Sequence, residues 1–241
     1  MLYIEDKLER VYKEMHIPQD FGGDIENDDF YNVEDMVYDL KGATGFDIDY
    51  EHGVSKAVLL IPGVDKVLKI PFNGYYEYHM TNEDEYYEND DIEPIYEDRF
   101  FEFENAGNEC NTWDYCLTEL KMYDEVEEAG FAEFFPKTGT YGICDNHPVY
   151  WQEKVIPYKT VLVSEEEEKN YKTQTKDKSR VFNWVPIKWG MDIIDMYGLD
   201  RANEFFTFIN NNGIASDLHN GNLGYTKDGK PVILDWAGFR D

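Results

Sequence analysis

The sequence predicts a mixed α+β fold in two lobes. Three observations carry this: an apolar stripe at helical spacing over residues 110–129, a second over 199–211, and two pairs of short β-rich runs, 57–61 with 66–70 and 138–143 with 148–155. A chain of 241 residues is long enough for one domain of two lobes or for two small domains, with a real core.

Residues 1–15 space Ile4, Leu8, Val11, Tyr12 and Met15 as a helix would, with charges opposite. Residues 20–51 are acidic, and Lys41 is their single base. The runs 57–61 and 66–70 read as an antiparallel hairpin around Pro62-Gly63-Val64-Asp65. Residues 73–109 hold 13 acids, nine aromatics and one base, Arg99. A linker needs no such aromatic content, so part of this segment is expected to pack, as a solvated insertion held down by its rings. The other reading of it is an acidic docking surface.

Trp113, Cys116, Leu117, Leu120, Tyr123 and Val126 recur at steps of three and four over the 110–129 helix, and Gly130 is placed to end it. The run Glu165–Glu168 followed by Lys169, Lys172, Lys176, Lys178 and Arg180 reads as a loop or helix with its charge segregated. Leu199, Ala202, Phe205, Phe206 and Ile209 mark the 199–211 helix, with Gly213 beyond its end. Two short strands, 223–225 and 232–234, close the chain around Asp228-Gly229, a strong hairpin signal. The expected division is 1–155, carrying the insertion at 73–109, and 156–241.

Charge excludes several functions. Lys plus Arg is 22 and Asp plus Glu is 51, a formal net charge of −29. Such a surface does not grip nucleic-acid phosphate directly. A content of 42% hydrophobic and 16% aromatic residues argues against a disordered acidic chain. The longest apolar run, 57–62, is far too short to span a bilayer, and the N-terminus has neither a basic head nor an apolar h-region. A cytoplasmic protein without membrane partners is expected. Cys110, Cys116 and Cys144 are an odd number at no metal-like spacing and read as buried thiols. The five histidines are scattered, so no zinc site is expected.

The chemistry-bearing segment runs Asp217-Leu-His219-Asn-Gly-Asn222, then Val232-Ile-Leu-Asp235-Trp-Ala-Gly238. A loop after a helix carries Asp217 and Asn222, and a hairpin delivers Asp235. Oxygen-bearing side chains of this kind suit Mg²⁺, a hard cation shared with substrate phosphates. Asp217 is left to accept a proton from an attacking hydroxyl. The plain alternative is turn chemistry, since Asp, Asn and Gly dominate loops. His219 is read as orienting the loop.

These residues resemble the protein-kinase-like superfamily, whose catalytic Asp is followed five residues later by a metal-binding Asn and then by a second metal-binding Asp. The wording from Asp217 to Asn222 is closest to the aminoglycoside and choline phosphotransferase branch. Ala215-Ser216 stands where protein kinases have His-Arg, and Trp236-Ala237 replaces a single Phe. Val67-Leu68-Lys69-Ile70 resembles the third-strand lysine motif, with its Val two rather than three residues before the Lys. The resemblance implies a kinase-like bilobal fold with a sheet-rich N-lobe and a shortened helical C-lobe, and ATP and Mg²⁺ as ligands. It places Lys69 on the α- and β-phosphates and Glu119, on the inward stripe of its helix, as the partner of Lys69. Backbone groups of Glu153 and Val155 would meet adenine, Asn222 and Asp235 would hold metal, and Asp217 would be the base. No Gly-rich loop precedes Lys69. Gly53-Val54-Ser55-Lys56 stands in its place, and Ser55 or Lys56 would compensate.

The helices that family members carry after the second Asp are expected to be absent, as in a minimal kinase-like protein of the sort carried by phages. The expected function is ATP/Mg-dependent transfer of phosphate to a hydroxyl acceptor. The alternative is a kinase-like pseudoenzyme whose acidic surface binds or inhibits a basic host protein as a nucleic-acid mimic. A third, a structural protein on such a scaffold, differs by binding no nucleotide.

Overall fold

A computed structural model describes residues 4–23, 32–53, 55–82, 93–102, 113–213 and 218–234. The fold is mixed α+β, as expected. Its contacts divide the chain into two units: Met1–Cys116 with Thr140–Trp151, and Leu117–Gly139 with Gln152–Asp241. The segment 117–139 thus groups with the second unit, whereas the sequence placed it in the first.

The first unit opens with helix α1, Ile4–Glu14, the short strand β1, Gly22–Gly23, and helix α2, Val33–Thr44. The sequence reading saw only acidity where α2 stands. Its ends are nonetheless well defined. The Asn32 side chain accepts from the N–H of Glu34 (2.7 Å) and Asp35 (3.1 Å), and the Asp35 carboxylate accepts from the Asn32 N–H (3.0 Å), a complete capping box. Gly45, at φ 70°, ends the helix by donating to Lys41.

Strands β2 (Asp49–His52), β3 (Lys56–Leu60) and β4 (Lys66–Pro71) form an antiparallel meander, pairing Tyr50 with Leu59 and Val58 with Lys69. Gly63 turns the β3–β4 hairpin at φ 72°. Strands β7 (Thr138–Cys144) and β8 (His147–Glu153) complete a five-stranded sheet in the order β2-β3-β4-β8-β7. Alternation divides the faces of the meander. Ala57, Leu59, Leu68 and Ile70 turn inward and pack with Leu8 and Val11 of α1 and with Met36 and Leu40 of α2. Each of these leucine, isoleucine, valine and methionine side chains contributes about 1.5–3 kcal/mol, and Ala57 less.

The acidic segment also contains strands. β5 (Gly74–Met80) and β6 (Tyr96–Glu102) pair antiparallel, Gly74 opposite Glu102 and Met80 opposite Tyr96, and β1 adds to β5 in parallel. Tyr75 stacks on Phe101 across the pair, with ring centroids 5.6 Å apart, and packs against the core of the first unit. The Asn73 N–H donates to the Phe21 carbonyl (2.8 Å), pinning the segment where it leaves the sheet.

The second unit is mainly helical: α3 (Trp113–Glu128, its first turn in the first unit), α4 (Glu165–Thr175), α5 (Ile187–Tyr197) and α6 (Leu199–Asn211). Helix α3 ends in a Schellman motif. The Phe131 N–H reaches the Val126 carbonyl (2.7 Å), the Gly130 N–H reaches Glu127 (3.0 Å), and Gly130 sits at φ 78°. The core gathers Met122 and Val126, Trp189 and Ile193, Phe205 and Phe206, and Leu223 and Ile233. Phe134 and Phe205 stack at 3.9 Å. Strands β9 (Ile156–Pro157), β10 (Leu223–Tyr225) and β11 (Pro231–Ile233) form an antiparallel sheet in the order β9-β10-β11, with Gly229 at φ 80° in the β10–β11 turn. Among the described residues, no helix is long and apolar enough to cross a membrane.

Candidate functional site

Lys69 lies on β4, on the face opposite the α1–α2 core. It is 3% exposed, and its ammonium sits 5.9 Å from the centroid of the Tyr150 ring on β8. Ser55, just before β3, is buried. Its carbonyl accepts from the Phe72 N–H (2.9 Å) and the Cys116 thiol (3.4 Å). The Cys116 bond fastens the first turn of α3 to this loop. Glu119 follows three residues later on α3 and is fully buried at 0% exposure.

In the second unit, β9, β10 and β11 bring two of the expected elements together. Val155 immediately precedes β9, and Ile156 pairs with Tyr225. Gly224, two residues beyond Asn222, packs so closely on this segment that a Cβ there would stand 2.7 Å from the Ile156 carbonyl oxygen and against Val155 Cγ1. Glu153 ends β8, and its N–H is committed to the Lys137 carbonyl at 2.7 Å. Of its backbone groups, only the carbonyl can serve a ligand.

Asn222 is 8% exposed and ends the 3-10 turn Asn220–Asn222. Its N–H donates to the His219 carbonyl (2.9 Å), and its own carbonyl accepts from the Leu234 N–H (2.7 Å). The loop of Asn222 is therefore tied to the residue preceding Asp235 in the chain. His219 caps the turn, with Nδ1 accepting from the Gly221 N–H at 3.0 Å, which is the orienting role expected of it. Asn220 donates to the Thr160 hydroxyl (3.1 Å). Asp217 and Asp235 lie outside the described residues.

Helix α5 braces the hairpin from behind. The buried Trp189 indole donates to the Gly224 carbonyl (3.2 Å), and the Tyr225 hydroxyl donates to Asp192 (2.7 Å), which also pairs with Lys188. Burial raises the Tyr225 pKa well above that of a free tyrosine, and the bond to Asp192 raises it further, so the phenol stays a donor. The hydrogen bond to Asp192 likewise raises Lys188. None of these supports was anticipated from sequence.

Gln152 was also missed. It is wholly buried, its Nε2 donates to the Thr138 hydroxyl (3.2 Å), and its Oε1 meets no donor among the described residues. Native interiors leave few such acceptors. Among the described residues, no group of three or more His, Cys, Asp or Glu gathers as a metal site. No family model matches the chain, and no curated protein or solved structure matches it either.

Proposed function

We propose that the chain is an ATP- and Mg²⁺-dependent phosphotransferase of kinase-like design, acting on a hydroxyl acceptor. The observation that carries this reading is the 2.7 Å bond from the Leu234 N–H to the Asn222 carbonyl, which ties the Asn222 loop to the strand that leads into Asp235. The order of elements supports it. Lys69 stands on the third strand of the five-stranded sheet in chain order. The helix of Glu119 follows, then the strand ending at Glu153, then three helices, the loop of Asn222 and a hairpin.

In this reading Asn222 and Asp235 hold Mg²⁺, which neutralises charge on the transferred phosphoryl group. Lys69 holds the α- and β-phosphates, and Glu119 orients it. Ser55 covers the phosphates. The Glu153 carbonyl and the Val155 backbone edge the adenine. Asp217 accepts the proton of the acceptor hydroxyl. The protein's share of catalysis is positioning and fixed charge.

ATP with Mg²⁺ should raise the melting temperature, and Asp235→Asn should remove that rise. Asp217→Ala should abolish transfer of radiolabelled phosphate while nucleotide binding persists. Absence of a shift at millimolar ATP refutes the reading.

A second reading draws on the net charge of −29 and on the exposed Glu93, Glu97 and Glu102 of the acidic segment. In it the chain is an acidic module that occupies the basic groove of a partner protein. Salt-sensitive capture of a basic protein, weakened when acids in 73–109 are neutralised, would favour this reading. Unchanged capture would remove the segment from the account.

A further inference from the structure

We propose that His147, Asn73 and the Gln19 carbonyl form a proton-sensitive clasp at the root of the β1–β5–β6 sheet, closed near neutral pH and opened by acid. Asn73 stands between β4 and β5. Its Nδ2 donates to the Gln19 carbonyl (2.5 Å) and to His147 Nε2 (2.7 Å). A carbonyl only accepts, so the Gln19 bond fixes which end of the Asn73 amide is nitrogen. An amide nitrogen only donates, so His147 Nε2 accepts and bears no hydrogen. Nδ1 lies 3.2 Å from the Asp145 carbonyl, also an acceptor, and carries the ring's single proton. Partners on both edges thus hold the imidazole as one neutral tautomer.

The same residues anchor the sheet. The Asn73 N–H donates to the Phe21 carbonyl (2.8 Å), and the next residue of each segment begins the pairing of β1 with β5, Gly22 opposite Gly74. The His147 ring meets Phe21 edge-on at 6.3 Å between centroids, and Trp113 at 5.1 Å. Among the described residues, the charged groups of the segments packed here are Asp145, His16 and Asp20. The Asp145 carboxylate is taken by His16 Nδ1 (2.8 Å) and the Ile17 N–H (3.0 Å), and Asp20 is exposed beside Gln19. The ring's own bonds go to an amide and a carbonyl. A second proton on Nε2 would set N–H against N–H. Turning the Asn73 amide over would answer that proton and set Oδ1 against the Gln19 carbonyl. One of the two bonds is lost either way. Burial holds the imidazole below its ordinary 6.5, against a smaller opposite pull from Asp145, so the closed clasp stays neutral and the open form takes the proton. At a pH one unit below 6.5, a group that titrates only in the open form favours opening by about tenfold. The clasp is independent of nucleotide binding.

The test is hydrogen exchange of the full chain at about pH 7.5 and pH 5.5, read by mass spectrometry, with times scaled for the intrinsic pH dependence of exchange. Peptides covering 19–23 and 74–80 should lose up to about tenfold in protection at the lower pH, while β3 and β4 keep theirs. His147→Gln, which does not titrate, should give equal protection at the two values. Nitrogen NMR of the parent imidazole near pH 7.5 should place the proton on Nδ1. A neutral ring protonated on Nε2 overturns the proposal. So does protection that is unchanged between the two values, an equal loss throughout β3, β4 and β5, or a local loss that persists in His147→Gln. The parent's tautomer and the contrast between its peptides decide the matter even where the variant does not fold.

Discussion

Replacing Gly224 with Ala tests how the Asn222 hairpin is held. The new Cβ would lie 2.7 Å from the Ile156 carbonyl oxygen, with Val155 Cγ1 closer still. Real Cβ atoms do not approach backbone oxygen so closely, so β9 and β10 must separate by several tenths of an ångström. Overpacking of this kind costs about 1–3 kcal/mol. The separation also strains the Tyr158 N–H to Leu223 carbonyl bond, 2.8 Å, and the Trp189 indole bond to the Gly224 carbonyl, 3.2 Å. Each is worth about 0.5–1.5 kcal/mol. A total near 2–3 kcal/mol is expected if the strands move only partly. Urea unfolding followed by tryptophan fluorescence should show a midpoint lower by about 1 M, for a slope of 2–3 kcal/mol/M. Adding Val155→Ala should recover part of the loss, because it removes the side-chain clash and leaves the carbonyl clash in place. A midpoint for Gly224→Ala within about 0.2 M of the parent would refute the close packing of β10 on β9.

Burial holds the His147 imidazole below its ordinary pKa of 6.5, against a smaller opposite pull from its bond to the Asp145 carbonyl. The unfolded chain therefore takes up this proton first as pH falls. The contribution is present in full above pH 6.5 and drains away below it, down to the lowered folded value. Urea midpoints should fall between pH 7.5 and 5.5, and His147→Gln should flatten that slope; a parent midpoint that holds steady would contradict the buried neutral imidazole. Asn32→Ala removes both bonds its side chain accepts at the start of α2 and should cost about 1 kcal/mol, with Asn32→Ser recovering most of it. Loss of nothing measurable would mean that α2 needs no cap. Tyr225→Phe deletes the donor to Asp192 and should cost about 1–2 kcal/mol in the same assay, with Lys188 still covering the carboxylate.

What could be read from sequence was local. The β3–β4 hairpin alternates cleanly and turns on a glycine, and α3 has both its stripe and its stop at Gly130. Helix α2 was equally local and was still missed. Its acids occupy the outward face, while Val33, Met36, Val37 and Leu40 keep helical spacing beneath them. Helix α5 was not read at all, and it contains Gly190. Its reason lies elsewhere in the fold, because a Cβ there would press into the Tyr171 ring. Strands β5 and β6 are joined through many residues, and no local pattern announces a pairing that distant. The spacing of Asp217, Asn222 and Asp235 pointed to the loop–hairpin junction, and Asn222 is found at one. Gln152 was out of reach, because its bond to the Thr138 hydroxyl is made on another strand.

The most direct test is calorimetric titration of the full chain with ATP, in the presence and absence of Mg²⁺, beside Asn222→Ala and Asp235→Asn. Saturable binding that needs the metal and is lost in both variants is the predicted result. Heat no different from buffer dilution, or binding indifferent to both metal and variants, would contradict a nucleotide–magnesium site at the Asn222 hairpin.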